Sequence, residues 1–332
     1  MNKKLLSVAV VAALAVPTLA NAGAKTYGQL HVAVESVTVG SGDAQWAVDG
    51  KSSKANKFGI KGSTDTDLMD FKAVYQYEIG LKQDVGAGVY YQRDTWVGMS
   101  SKSVGTVRMG TIITAWKSST KSIDPLFTTA LEGRGFLDLT SGKLAGGSGD
   151  GRGRSTRTIR YDSPSIAGAK IVGDYNMSDG ENNVGVGVRF KSGPIKAFVD
   201  YKSIAKGNFV DDGAKSGTAT KVGAKYAANG IGLSVQYEID GGAVSGSTTK
   251  EQDNLFLNGT YTMGATTFIL TAGNKFDSSS TAKDGYIGWG AAVSQQVAKK
   301  VALYVGYGAT INDSSNSDND VGALALGMKA GF

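Results

Sequence analysis

A closed, antiparallel, sixteen-stranded transmembrane β-barrel is the fold that this sequence predicts, and three observations predict it. Apolar residues alternate with small or polar ones at a period of two in segment after segment, which gives extended chain two different faces. Glycine is abundant at 47 residues and proline scarce at 4, a balance that supports helices poorly and tolerates extended chain with many turns. The connections between the alternating segments are short and long in turn, as an up-and-down barrel requires. An even number of strands closed on itself leaves no edge unpaired in lipid.

Residues 1–22 stand outside that pattern. Lys3 and Lys4 precede an apolar run from Leu5 to Leu19, followed by Ala20-Asn21-Ala22. This is the expected form of a secretory signal peptide cut after Ala22, and its apolar run falls short of the roughly 20 residues a transmembrane helix needs. Residues 23–332 are then the barrel. The chain has no cysteine, so it carries no disulfide framework. Without Lys3 and Lys4 the 35 basic residues become 33 against 29 acidic ones, a formal charge of +4 that is too mild to imply a nucleic-acid partner.

Strands are expected near 25–39, 53–64, 70–80, 89–99, 105–111, 154–162, 169–177, 184–191, 195–204, 218–226, 231–239, 253–261, 265–275, 285–294, 301–310 and 321–332. The ninth shows the pattern: Ile195, Ala197, Val199 and Tyr201 on one parity, Lys196, Phe198, Asp200 and Lys202 on the other. Ser192-Gly193-Pro194, Ala227–Gly230 and Met263-Gly264 are tight connections, whereas 40–52, 205–217, 241–250 and 312–320 are long and polar. Short turns belong on the periplasmic side and long loops outside. Tyr161, Tyr201, Tyr237 and Phe332 fall on the apolar parity near strand ends, as interfacial girdles require. In the last strand Leu324, Leu326, Met328, Ala330 and Phe332 face lipid and Lys329 faces the lumen.

The longest connection, 112–153, separates the fifth and sixth expected strands, and loops of this length invite a functional explanation. Its first half carries Leu126, Phe127, Leu131, Phe136 and Leu137, which need a surface to pack on. The inward parity of strands two to seven is mostly basic: Lys57, Lys61, Lys72, Arg93, Arg108, Arg154, Arg160 and Lys170. The loop offers Asp124, Glu132 and Asp138 across from them. A basic wall opposed by acidic loop residues would set up a transverse field in the narrowest section.

Enzymatic readings find little support. The one histidine, His31, lies on the lumen parity with Glu35, and a hydrolase would have to be built around it. There is no G-x-S-x-G elbow and no P-loop. Gly146–Asp150 and Asn312–Asp320 offer oxygen ligands but fit no defined calcium loop. No cofactor is expected.

The stretches TYGQLHVAV (Thr26–Val34), NKFGIKGSTD (Asn56–Asp65), RDTWVGMSSKSVGTVRMG (Arg93–Gly110), RTIRYDSPSIAG (Arg157–Gly168) and the terminal GMKAGF, in this order, resemble the Gram-negative general porins over essentially the whole mature length. The chain departs from the family at Thr111, where relatives usually carry arginine, and at Arg157, where they often carry asparagine. The resemblance implies a homotrimer in outer-membrane lipid and passive diffusion of small hydrophilic solutes and ions. It also implies that the loop at 112–153 folds inward, that Lys57, Arg93 and Arg154 fall at or near basic eyelet positions, and that Phe332 is read by the assembly machinery. The basic wall predicts a weak preference for anions. Alternatives are a substrate-selective barrel channel, a barrel enzyme using His31, and a secreted β-sandwich or adhesin.

Overall fold

The computed structural model describes residues 23–48, 56–81, 90–133, 153–177, 182–204, 217–241, 252–276, 285–312 and 320–332. The leader at 1–22, Asp138 and the Gly146–Asp150 stretch lie outside these residues. Seventeen strands form one sheet: β1 (Lys25–Val39), β2 (Gln45–Val48), β3 (Lys57–Asp65), β4 (Lys72–Leu81), β5 (Tyr90–Ser101), β6 (Gly105–Ile113), β7 (Arg154–Asp162), β8 (Ala169–Asn176), β9 (Asn183–Ser192), β10 (Ile195–Ile204), β11 (Gly217–Ala228), β12 (Ile231–Gly241), β13 (Gln252–Met263), β14 (Thr266–Lys275), β15 (Tyr286–Ala298), β16 (Val301–Asn312) and β17 (Val321–Gly331). Every pairing between them is antiparallel.

The sheet closes where β1 meets β17, from Gln29↔Gly331 to Val39↔Val321. Sixteen strands make the barrel wall. The seventeenth, β2, falls in a stretch the sequence reads as loop. β3 covers only Lys25–Gln29 on the other edge of β1, and β2 pairs with Val34–Val37 beyond it. The backbone groups of that upper edge find partners in this way.

Period-two alternation produces two surfaces. On β1, Leu30, Val32 and Val34 are exposed outward, while His31, Ala33 and Glu35 are buried. Leu324, Leu326, Met328 and Phe332 are likewise exposed and Ala323 and Ala325 buried. Tyr161, Tyr201 and Phe332 also lie on the exposed face, on the parity expected of girdle residues.

The tight turns follow residue chemistry. Asn229 and Gly230 both have positive φ, 52° and 80°, which is the two-residue hairpin geometry that Asn-Gly favours. Close cross-strand approach accounts for other glycines. Tyr27, Tyr75, Tyr91, Phe198 and Tyr304 stand directly opposite Gly59, Gly62, Gly80, Gly223 and Gly327, and each ring lies where the glycine's Cβ would be. The Tyr27, Tyr91, Phe198 and Tyr304 rings, on the inward parity, thus lie along the wall, and Tyr75 does the same on the outward one.

Candidate functional site: a charged inner wall and the loop packed on it

The basic residues that parity places inward are tied to carboxylates on the wall itself. Lys57 Nζ is 3.2 Å from Glu78 Oε2, and Arg93 Nε is 2.5 Å from Glu78 Oε1. Tyr27 donates its hydroxyl to Glu78 Oε2 at 2.9 Å and accepts from Gln76 Nε2 at 2.8 Å. Lys61 Nζ lies 5.0 Å and Lys57 Nζ 5.7 Å from the centre of the Tyr27 ring. Cations over an aromatic face gain from its quadrupole while keeping contact with water.

The register between β4 and β5 slips here, with Tyr77 opposite Thr95 and Ile79 opposite Gln92. Two residues, Arg93 and Asp94, therefore oppose Glu78 alone, which is a bulge. Arg93 reaches Glu78, and its neighbour Asp94 accepts from Arg154 Nη2 at 2.7 Å and Nε at 3.1 Å and from the Ile113 amide at 2.7 Å. Strict alternation would send one of these neighbours outward. The bulge allows both to serve the inner wall.

A second group forms around Asp162. Arg160 meets it with Nε and Nη2, each at 3.0 Å, Arg108 also bonds it, and Lys170 approaches to 3.8 Å. Arg108 lies 5.2 Å from the Trp96 ring, and Arg160 Nη1 donates to the Ile113 carbonyl at 2.7 Å. Lys72 is elsewhere, paired with Asp65 at 2.6 Å beside the short β3–β4 turn, with both side chains mostly exposed.

The connection from β6 to β7 begins with a short helix, α1 (Ala115–Lys121), whose N-cap is Thr114. The Thr114 hydroxyl accepts from the Lys117 amide and donates to the Gly153 carbonyl, which ties the two ends of the loop together. The helix lies against the inward faces of β8–β12. Asp174 accepts the Ala115 amide at 3.0 Å, Ser119 donates to Asp200 at 2.5 Å, and Thr120 donates to Gln236 at 2.7 Å. Lys221, completely buried, donates to the Trp116 carbonyl at 2.5 Å and to Thr120 Oγ1 at 2.7 Å, with its Nζ 4.2 Å from the Trp116 ring. Lys202, equally buried, bonds Asp174, and Arg189 bonds Asp200. Beyond the helix, Ser234 and Asn258 both donate to the Ile123 carbonyl. Ile123, Leu126 and Leu131 join Phe198, Phe256, Ile269 and Tyr304 in the one apolar core among the described residues. The apolar residues of the loop do have a surface to pack on, and it is the inner wall.

Two of the loop carboxylates, Asp124 and Glu132, bond the loop's own backbone. Asp124 is buried and accepts from the Leu126 and Gly133 amides, each at 2.9 Å, while Glu132 accepts from the Thr128 amide at 2.6 Å. They stitch the loop to itself, and Lys329 nearby donates to the Phe127 carbonyl at 3.2 Å.

Sequence reading finds the cations but misses the acids that hold them: Glu78, Asp94, Asp162, Asp174 and Asp200. It also misses Arg189, Lys202 and Lys221 as partners of the loop. The alternation of β10 does place Asp200 and Lys202 on the polar parity; what parity lacks is the contact to α1. His31 is fully buried, with Nε2 2.8 Å from the Tyr304 hydroxyl. Among the described residues no group of three or more His, Asp or Glu side chains could hold a metal ion.

A closed antiparallel wall with an apolar outside and a charged inside defines a membrane-spanning channel. The family comparison makes this specific. A model of the Gram-negative porins matches residues 7–315, and the chain belongs to that family: it is an outer-membrane channel for passive diffusion and not an enzyme. No curated protein matches the sequence. Among solved structures, the fold is similar to the anion-selective porin from Comamonas acidovorans, with a TM-score of 0.78 at 18% identity over 93% of this chain and 99% of that one. It is also similar to OmpF of Salmonella typhi in complex with daunomycin (TM-score 0.70, 18% identity, 94% and 99% covered) and to the trimer form of OmpT from Vibrio cholerae (0.70, 15%, 93% and 99%).

Proposed function

We propose that the channel passes small hydrophilic solutes and ions with a weak preference for anions, that the segment 112–153 narrows it, and that three copies assemble. One observation carries the preference: on the inner wall, Lys57 and Arg93 pair with a single Glu78 while Lys61 lies over the Tyr27 ring that Glu78 holds, and Arg108, Arg160 and Lys170 surround a single Asp162. Each group has three cations to one carboxylate, so a permeating anion meets a net positive surface. The inward packing of residues 114–133 supports the narrowing, and the likeness to an anion-selective porin and to a trimeric porin agrees with the other two parts.

The preference is weak because the wall is solvated. A screening length of about 10 Å at 0.1 M salt approaches the scale of a constriction. Reversal potentials of single channels across a potassium chloride gradient test the reading. The native channel is expected to favour chloride, less so as salt rises. Replacing Arg93 and Arg154 by glutamine leaves Glu78 and Asp94 less compensated and moves the reversal potential toward cation preference without abolishing conductance. An unchanged potential in the double variant would place these residues away from the ion path.

A further inference from the structure

A row of lysines crosses β9, β10 and β11 at the end of the barrel that carries the tight turns, which is the periplasmic end. Behind the β9–β10 turn Lys191 stands directly opposite Lys196, and Lys196 stands directly opposite Lys225 on β11. All three share the inward parity of Phe198 and Asp200, so they lie side by side on the lumen wall at the strand spacing of about 4.8 Å. Lys191 and Lys196 are exposed and Lys225 is partly so. No carboxylate interrupts the row, which starts beside Gly168 and runs on into Ser234 and Asn258. Among the described residues none of the three is in a salt bridge, whereas Arg189 and Lys202, further along β9 and β10, each hold a carboxylate. Like charges directly opposite one another in a sheet are destabilising, so the fold itself does not favour this arrangement.

We propose that Lys191, Lys196 and Lys225 form a docking surface for an acidic polypeptide segment that enters the channel mouth from the periplasm. The proposal goes beyond the selectivity argued above and shares none of its residues. Charge complementarity selects the partner: the row is cationic throughout, and its neighbours Ser234 and Asn258 are neutral. Length selects a chain over a compact ion. Two strand spacings make the row about 10 Å long, which successive side chains of an extended acidic segment can follow. A single solvent-exposed ion pair is worth little, so one carboxylate on one lysine is held poorly. Several carboxylates on one flexible chain turn the later contacts into intramolecular ones and bind together. Ammonium groups on long stems accept carboxylates without a fixed geometry, which suits a partner that has no fixed structure of its own. A segment held on this wall stands in the mouth and obstructs it, so docking is read as loss of current.

The test uses the full-length channel in planar bilayers, with hexaglutamate added to one chamber and then the other of a single-channel recording. Block is expected from one chamber only, along a saturating curve, and weaker as salt rises. The triple variant Lys191→Gln, Lys196→Gln, Lys225→Gln is expected to raise the half-blocking concentration about tenfold, the loss that three exposed ion pairs imply. Replacing the same three by arginine should keep the block, and Lys299→Gln, in the β15–β16 turn at the same end of the barrel, should leave it unchanged. An unaltered block in the triple glutamine variant, or equal block from both chambers, would overturn the assignment. Citrate blocking at the same concentration as hexaglutamate would overturn the polypeptide and leave a compact tricarboxylate in its place. Because these side chains face solvent, folding of the variants is expected to be normal. Heat-shifted gel mobility checks it, and Lys196→Gln alone, at the centre of the row, gives the same reading on a smaller scale.

Discussion

Glu78 balances the charge on Lys57 and Arg93 from a nearly buried position, with 3% of its side chain exposed. Replacing it by glutamine keeps the shape and removes the anion. Chloride preference is expected to strengthen in Glu78→Gln, read as a more anion-like reversal potential; a shift toward cations would mean that this group does not face the ion path. Asp124 makes the opposite case. Its two oxygens accept backbone amides of Leu126 and Gly133, so Asp124→Asn turns one acceptor into a donor facing an N–H. A buried bond left unmade costs about 1–3 kcal/mol, and here it loosens the loop. The variant should show noisier open-channel current with little change in reversal potential.

The start of the long loop is held on the inner wall, and Lys221 is one of its buried anchors. Lys221→Met fills similar space but removes donors to the Trp116 carbonyl and Thr120. Faster tryptic cleavage within 114–153, with the barrel otherwise intact, is the expected outcome; cleavage at the native rate would show that the remaining contacts suffice. Turns have their own electrostatics. Asp70, in the β3–β4 turn, accepts from the Ser101 and Ser103 hydroxyls and from the Lys102 and Ser103 amides of the β5–β6 turn. The Ser101 hydrogen bond leads in holding its pKa below the ordinary value of 3.8. A lowered folded pKa means the contribution is present above that ordinary value and fades as pH falls through the folded one. Amide exchange in the 102–104 turn should therefore accelerate in acid for the native chain, whereas Asp70→Asn should be fast at every pH.

At the scale of the whole molecule, closure depends on the seam between the chain's two ends. Phe332 exchanges backbone hydrogen bonds with Gly28 at 3.2 and 3.3 Å, and its ring occupies the space a Cβ at position 28 would need. Gly28→Val collides with that ring at the point where β1 meets β17. Folding yield, read as the fraction of heat-modifiable barrel on a gel, should fall sharply, and a native yield would show that the ring moves aside at little cost. The exposed Leu30, Val32 and Val34 on the same strand need lipid or a neighbouring subunit to cover them. Sedimentation in detergent is expected to give three chains per particle.

The strands, their even number and their two faces were legible in the sequence, because side-chain direction in extended chain depends on parity alone and each residue carries that information locally. Lys57, Arg93 and Arg108 could be placed inward on that basis. Their partners could not. The bulge at Glu78 breaks parity and turns both Arg93 and Asp94 to use, and a bulge is fixed by how two strands register, not by either strand's pattern. The loop was legible as long and partly apolar, but its resting place was not, since Trp116 meets Lys221 across 105 positions and Ile123 meets Asn258 across 135. Only the closed tertiary structure brings such distant groups within hydrogen-bonding distance. For the same reason it alone decided that Asp124 and Glu132 bond the loop's own backbone.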